Sequence, residues 1–220
     1  MERHFHEQLN ALKHQLIKMC GLAESMIGDA TKVLVERQAD LLSFIHEREA
    51  QVNQMQMEID EACFTLIALH QPTASDLRFI LGAAKTNTDL ERLADQAVNI
   101  SQKAQHLMNH ELLQPFIIIP EMTTIARSMV KDSLHAYVNR EPDRAREVIK
   151  RDQQINSLKK KIIAEMIDSM VKDPASSPYA LDIVLVAHSL ERIGDHAKNI
   201  AENAIFVVEG KDIRHGAELT

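Results

Sequence analysis

The chain contains no tryptophan and has only six glycines and six prolines among its 220 residues. So few turn-forming residues leave little room for the tight reversals that an all-β fold requires. Cysteine is scarce as well. Cys20 and Cys63 form no Cys-x-x-Cys pair, and each falls in an apolar helical pattern where a small hydrophobe packs, a usage compatible with a reducing cytoplasm. Acidic residues outnumber basic ones 32 to 25, and the resulting formal charge of -7 argues against a general nucleic-acid surface. The one basic run, Lys159-Lys160-Lys161, reads as a solvated helix face. The longest apolar runs, Phe116 to Ile119 and Ile183 to Ala187, are too short to span a bilayer, and Met1 to His6 hold no secretory apolar core. These absences predict a cytoplasmic protein with no membrane insertion. Missing too are a Gly-rich phosphate loop, a nucleophile elbow, a Cys/His zinc cluster and, despite 11 histidines, any His-Glu-x-x-His motif.

What remains is dominated by helix formers, with 45% apolar and 26% charged residues, ordinary for a globular protein. Six helical stretches can be read. The first, about His6 to Arg37, carries Leu9, Leu12, Leu16, Met19, Ala23, Met26, Ala30 and Val33 at intervals of three and four. The second covers about Asp40 to His70 and ends at Gln71-Pro72. The third starts from Ser75 as N-cap and reaches about His110; Pro115 and Pro120 bracket a connector. The fourth runs to about Asn139, the fifth from Pro142 to about Lys172, and the sixth from about Pro178 to Val208, with a frayed tail at 211–220. Long helices on short loops predict an all-α antiparallel bundle.

The halves repeat. Residues 90 to 100 read LERLADQAVNI and residues 190 to 200 read LERIGDHAKNI. The second and fifth stretches also align, displaced by three further residues: Ile45, Glu49, Val52, Asn53 and Ile59 match Val148, Asp152, Ile155, Asn156 and Ile162. The chain therefore reads as a duplicated three-helix unit, 1–113 and 114–210, with its boundary near Leu113 to Pro120.

Within each unit Glu91, Asp95 and Asn99, or Glu191, Asp195 and Asn199, stand four residues apart on one helix face. Two carboxylates at that spacing repel by roughly 0.2–0.5 kcal/mol on an isolated helix, so matched pairs in both halves point to a compensating positive charge. Glu49 and Asp152 occupy stripe positions that would ordinarily be apolar, with Asn53 and Asn156 one turn later. Side by side, these helices would build two oxygen-rich faces suited to Mg2+, Mn2+, Ca2+, iron or Zn2+. The plainer alternative is a self-contained ion-pair pattern, Arg92 reaching Asp89 or Asp95 and Arg192 reaching Asp195. His188, one turn before Glu191, reads as a packing or solvent residue.

QPTASDLR at 71 to 78, the paired ER-x-x-D segments and MEIDEAC at 57 to 63 together resemble the PhoU family of phosphate-transport accessory proteins. The resemblance runs from the first helix to the sixth. It implies two three-helix bundles in pseudo-twofold arrangement, usually as a homodimer, and negative control of phosphate uptake and of the phosphate-starvation two-component response. The partners implied are the ATPase of the phosphate ABC transporter and the sensor histidine kinase, through which the chain would reach the inner membrane. Carried over by motif, the metal ligands fall on Glu49, Glu91 and Asp95, and on Asp152, Glu191 and Asp195. Asn53 and Asn156 stand where many members have Asp, which removes one charge from each site and favours a single weakly held ion.

Two other functions compete. A ferritin-like di-metal oxidase needs two Glu-x-x-His pairs in one four-helix core. No Glu here is followed by His three residues on, so an enzyme of that type is not expected. A metal-free helical adaptor, its acids engaged only in ion pairs, stays open.

Overall fold

The computed structural model describes residues 2–108 and 118–213. Of these 93% are helical, and none lies in a strand. The helices are α1 (Glu2–Glu36), α2 (Leu41–His70), α3 (Ala74–Leu107), α4 (Ile118–Asn139), α5 (Pro142–Lys172) and α6 (Ser177–Glu209), with one 3-10 turn at Pro174–Ser176. No described helix is long and apolar enough to cross a membrane.

Several helix ends have a local cause. After α2, Gln71 turns left-handed (φ 46°) and its N–H reaches the Ile67 carbonyl, while Pro72 blocks continuation. Thr73, extended after that proline, caps α3, and its carbonyl accepts the Leu77 N–H at 2.8 Å. Ser75, the expected cap, is thus already inside the helix. Pro120, expected in a connector, lies in the first turn of α4, where a missing N–H costs nothing. Arg140 is left-handed (φ 58°) and the Glu141 N–H returns to the Ala136 carbonyl at 2.9 Å before Pro142 opens α5. Arg37, at the matching place in the first repeat, has φ 57°. Gly210 (φ 68°) closes α6. Residues 109–117 and 214–220, and with them most of the expected unit boundary and tail, lie outside the described residues.

Helices α1, α2 and α3 pack on one another, as do α4, α5 and α6, and the two bundles meet where α3 lies against α6 and α1 against α4. Both cross-bundle pairs are antiparallel: Lys103 meets Asp182 while Arg78 meets Val207, and Thr31 bonds Thr123 while Glu24 pairs with Arg127. That leaves α2 and α5 on the outside. The central helices are inward-facing on most sides, with Phe79, Ile80, Ala83, Leu90, Leu93 and Ala97 on α3 and Val186, Leu190, Ile193, Ala197 and Ile200 on α6 all fully buried. Tyr137 of α4 stacks on Phe79 with ring centroids 5.0 Å apart, an arrangement worth about 0.5–1.5 kcal/mol beyond burial, and its hydroxyl donates to the Phe79 carbonyl. Gly82 makes that approach possible, since a Cβ there would stand 3.0 Å from the Tyr137 oxygen.

Candidate metal centre

In the first repeat, fully buried Ile45 and Val52 set the inner face of α2, and Glu49 between them lies at its half-buried edge. Leu90, Leu93 and Ala94 do the same for α3 and carry Glu91 and Asp95 to the same border. Asp95 is raised above the usual carboxylate range by burial and then by the charge of Glu49. Glu91 is raised by burial and by Asp95, with Arg92 and His196 opposing. The charges of these three acids are therefore coupled across α2 and α3. The one close counter-group is His46, whose Nδ1 lies 3.4 Å from Glu49; among the described residues no lysine or arginine pairs with any of the three.

The second repeat repeats the acids but not the charge balance. Asp195 is raised by partial burial, then by Glu191 and Asp152, against Lys198 and His196. Here lysines close in: Lys159 Nζ is 3.0 Å from Glu191, and Lys198 Nζ is 3.5 Å from Asp152. Asn156 donates to Asp152 Oδ2 at 3.2 Å, while Asp152 Oδ1 is buried without a partner. His188, read as a packing or solvent residue, is half exposed but puts Nδ1 3.2 Å from Glu191. In the first repeat Gln56 and Val98 stand where Lys159 and Lys198 stand here. Lys159, read as part of a solvated face, thus turns inward.

The asparagines divide. Asn53 is exposed one turn from Glu49, and Asn156 joins its acid. Asn99 and Asn199 do not belong to the acid clusters: Asn199 donates to Asp89 at 3.2 Å, and Asn99 lines the matching groove between α3 and α6. The reason is helical geometry, because eight residues at 3.6 per turn carry Asn99 about 80° around the axis from Glu91. The alternative pairing of Arg92 or Arg192 with its neighbouring acids does not form among the described residues, and both arginines are exposed. Among the described residues no three His, Cys, Asp or Glu side chains come together so as to hold a metal ion. In the first cluster the repulsion is opposed only by His46 at Glu49 and by the charges of Arg92 and His196 on Glu91, with no lysine or arginine in ion-pair contact among the described residues. The second fits a cation less well, with two ammonium groups already beside its acids.

Missed from sequence was the network at the centre of the α3/α6 seam. His196, 5% exposed, lies with Nδ1 3.0 Å from Asp89, itself 8% exposed. The differences between the two LERxxDxAxNI copies, His196 against Gln96 and Lys198 against Val98, were the available signal.

A duplicated all-helical bundle with paired carboxylate clusters is the class defined by this fold. The family described as "PhoU domain" matches twice, over residues 16–104 and 119–204, and the chain belongs to the PhoU family. It is 36% identical to the phosphate-specific transport system accessory protein PhoU homolog of Pseudomonas putida, over 98% of this chain and 84% of that one. It is 31% identical to the accessory protein PhoU of Escherichia coli, over 96% and 88%. The crystal structure of PhoU from Pseudomonas aeruginosa superposes with a TM-score of 0.91 at 34% identity, covering 94% of this chain and 100% of that one. The regulatory protein PhoU from Streptococcus pneumoniae gives 0.87 at 25%, over 94% and 98%.

Proposed function

We propose that the chain is a non-enzymatic accessory regulator of phosphate transport. It restrains uptake and the starvation response by docking on the transporter ATPase and the sensor histidine kinase, and it acts as a homodimer. The observation that carries this reading is the twofold PhoU-domain match over residues 16–104 and 119–204, and the charge coupling of Glu49, Glu91 and Asp95 across α2 and α3 supports it. A divalent or trivalent ion such as Mg2+, Mn2+, iron, Zn2+ or Ca2+ would be held by those three carboxylates. It would supply the charge that lets α2 close on α3. The outer helices present apolar side chains for contact, Met57, Phe64 and Leu69 on α2 and Ile167 and Val171 on α5.

The experiment is a pull-down of each partner with the full chain, in Mn2+ and in chelator. Retention in Mn2+, weakened by Glu91→Gln/Asp95→Asn, supports the reading. Failure to retain either partner under both conditions refutes docking. Retention indifferent to metal and to those substitutions favours the adaptor without metal, a reading that the lysines of the second cluster already favour for that half.

A further inference from the structure

The α3/α6 seam is antiparallel and duplicated, so each contact on one side of its centre has a mate on the other. On one side Asp89 accepts hydrogen bonds from His196 Nδ1 at 3.0 Å and Asn199 Nδ2 at 3.2 Å; Asp89 and His196 are buried in the seam, and Asn199 covers them from its exposed edge. Under the register that aligns residues 90–100 with 190–200, their mates are Ser189, Gln96 and Asn99. The amide of asparagine is kept, the imidazole has become a second amide, and the accepting carboxylate has become a hydroxyl. Among the described residues no hydrogen bond joins Ser189 to Gln96 or Asn99. Where one side is closed by an internal anion, the other opens into a groove of about 300 Å³.

Its walls are donor-rich. Gln96, Asn99, Gln102 and Lys103 come from α3, and Ser189 and Arg192 come from α6 with His188 and the apolar Leu185. No Asp or Glu lines it. The nearest acids are already paired, Asp182 with the groove's Lys103 at 3.2 Å and with His106, and Glu191 with the groove's His188 at 3.2 Å and with Lys159 at 3.0 Å. Arg192 has no ion-pair partner among the described residues, so its planar fork is available for an oxyanion.

We propose that this groove binds a small tetrahedral oxyanion of the phosphate class, occupying the place that the Asp89 carboxylate fills on the opposite side. Donors from both walls of a space larger than one carboxylate suit a group with acceptors on every side. The bound anion would tie the two bundles together across their seam. The anion site stands on the groove alone; naming inorganic phosphate as its ligand rests on the regulatory reading above.

The test is an NMR titration of the full chain with inorganic phosphate at constant ionic strength, following the side-chain amides of Gln96, Asn99 and Gln102. The expected result is a saturable shift that potassium chloride does not produce. Arg192→Gln should weaken binding about tenfold or more, the loss of one charge-assisted contact. Arg92→Gln, at the mate position outside the groove, should leave it unchanged. Gln96→His/Ser189→Asp rebuilds the closed side's contact and should retain helicity yet abolish binding. No saturable shift, or undiminished binding in Arg192→Gln and in the rebuilt variant, would overturn the proposal. Binding to phosphatidate vesicles without binding to free phosphate would assign the headgroup instead and overturn the free-phosphate source. If free phosphate fails to bind while partner retention persists, the inference falls and the docking function stands.

Discussion

Asp95 and Glu91 are held above the ordinary carboxylate range, as is Asp195, so the folded chain binds these protons more tightly than the unfolded chain does. Their charged forms are therefore destabilising at neutral pH. That penalty is relieved as pH falls through the raised folded values towards the ordinary range. Asp29 has the opposite sign: burial raises it, but hydrogen bonds from Arg48 and Lys32 prevail and lower it, so its contribution is lost only as pH falls below the ordinary value. Denaturant unfolding of chelated protein should show stability rising from neutral into mildly acidic pH. Asp95→Asn should flatten that rise and add roughly 0.2–0.5 kcal/mol at neutral pH, the size of one like-charge contact. A second expectation concerns the lysines. Lys159→Gln/Lys198→Val gives the second cluster the neighbours of the first, and calorimetry with Mn2+ should show cation binding gained there; no gain would mean the lysines do not control that site. The acids were legible because their spacing and stripe positions were abnormal. Lys159 was equally placed, four after Ile155 and three before Ile162, but lay hidden in a run of three lysines.

At the scale of the element, the helices were read from periodicity to within a few residues, and their ends less well, because end geometry depends on backbone states without a periodic signature. Gln71, Arg37 and Arg140 hold left-handed conformations that sequence would assign to glycine. Gln71→Gly should raise stability by about 0.5–1 kcal/mol by removing that steric cost, measured as an increase in the urea midpoint. Packing between α5 and α6 sets a sharper test. A Cβ at Gly194 would stand 2.9 Å from Ile155 Cδ1, so Gly194→Ala should destabilise by roughly 1–3 kcal/mol. The first repeat has Ala94 and Val52 at the matching positions, the same volume divided differently. Gly194→Ala/Ile155→Val should therefore recover most of the loss; no recovery would show that the repeats differ in backbone spacing.

For the whole molecule, the duplication was plain in the sequence, while the seam that joins its copies was not. An apolar stripe marks a buried face without naming its partner, and a buried polar pair such as Asp89 and His196 leaves no pattern, because polarity ordinarily means exposure. Yet α3 and α6 are the helices on which the two bundles meet, and the two carboxylate clusters and the groove lined by Gln96 and Arg192 all border them. Under the proposed function, an ion bound at that edge would bias how the bundles and their outer helices are presented to partners. The most direct measurement is a phosphate-starvation reporter in the source bacterium grown in high phosphate with this chain deleted. The account predicts that the reporter stays on, is switched off by restoring the chain, and remains on with a Glu49→Gln/Glu91→Gln/Asp95→Asn chain expressed at the same level. Normal repression in the deletion strain would contradict it.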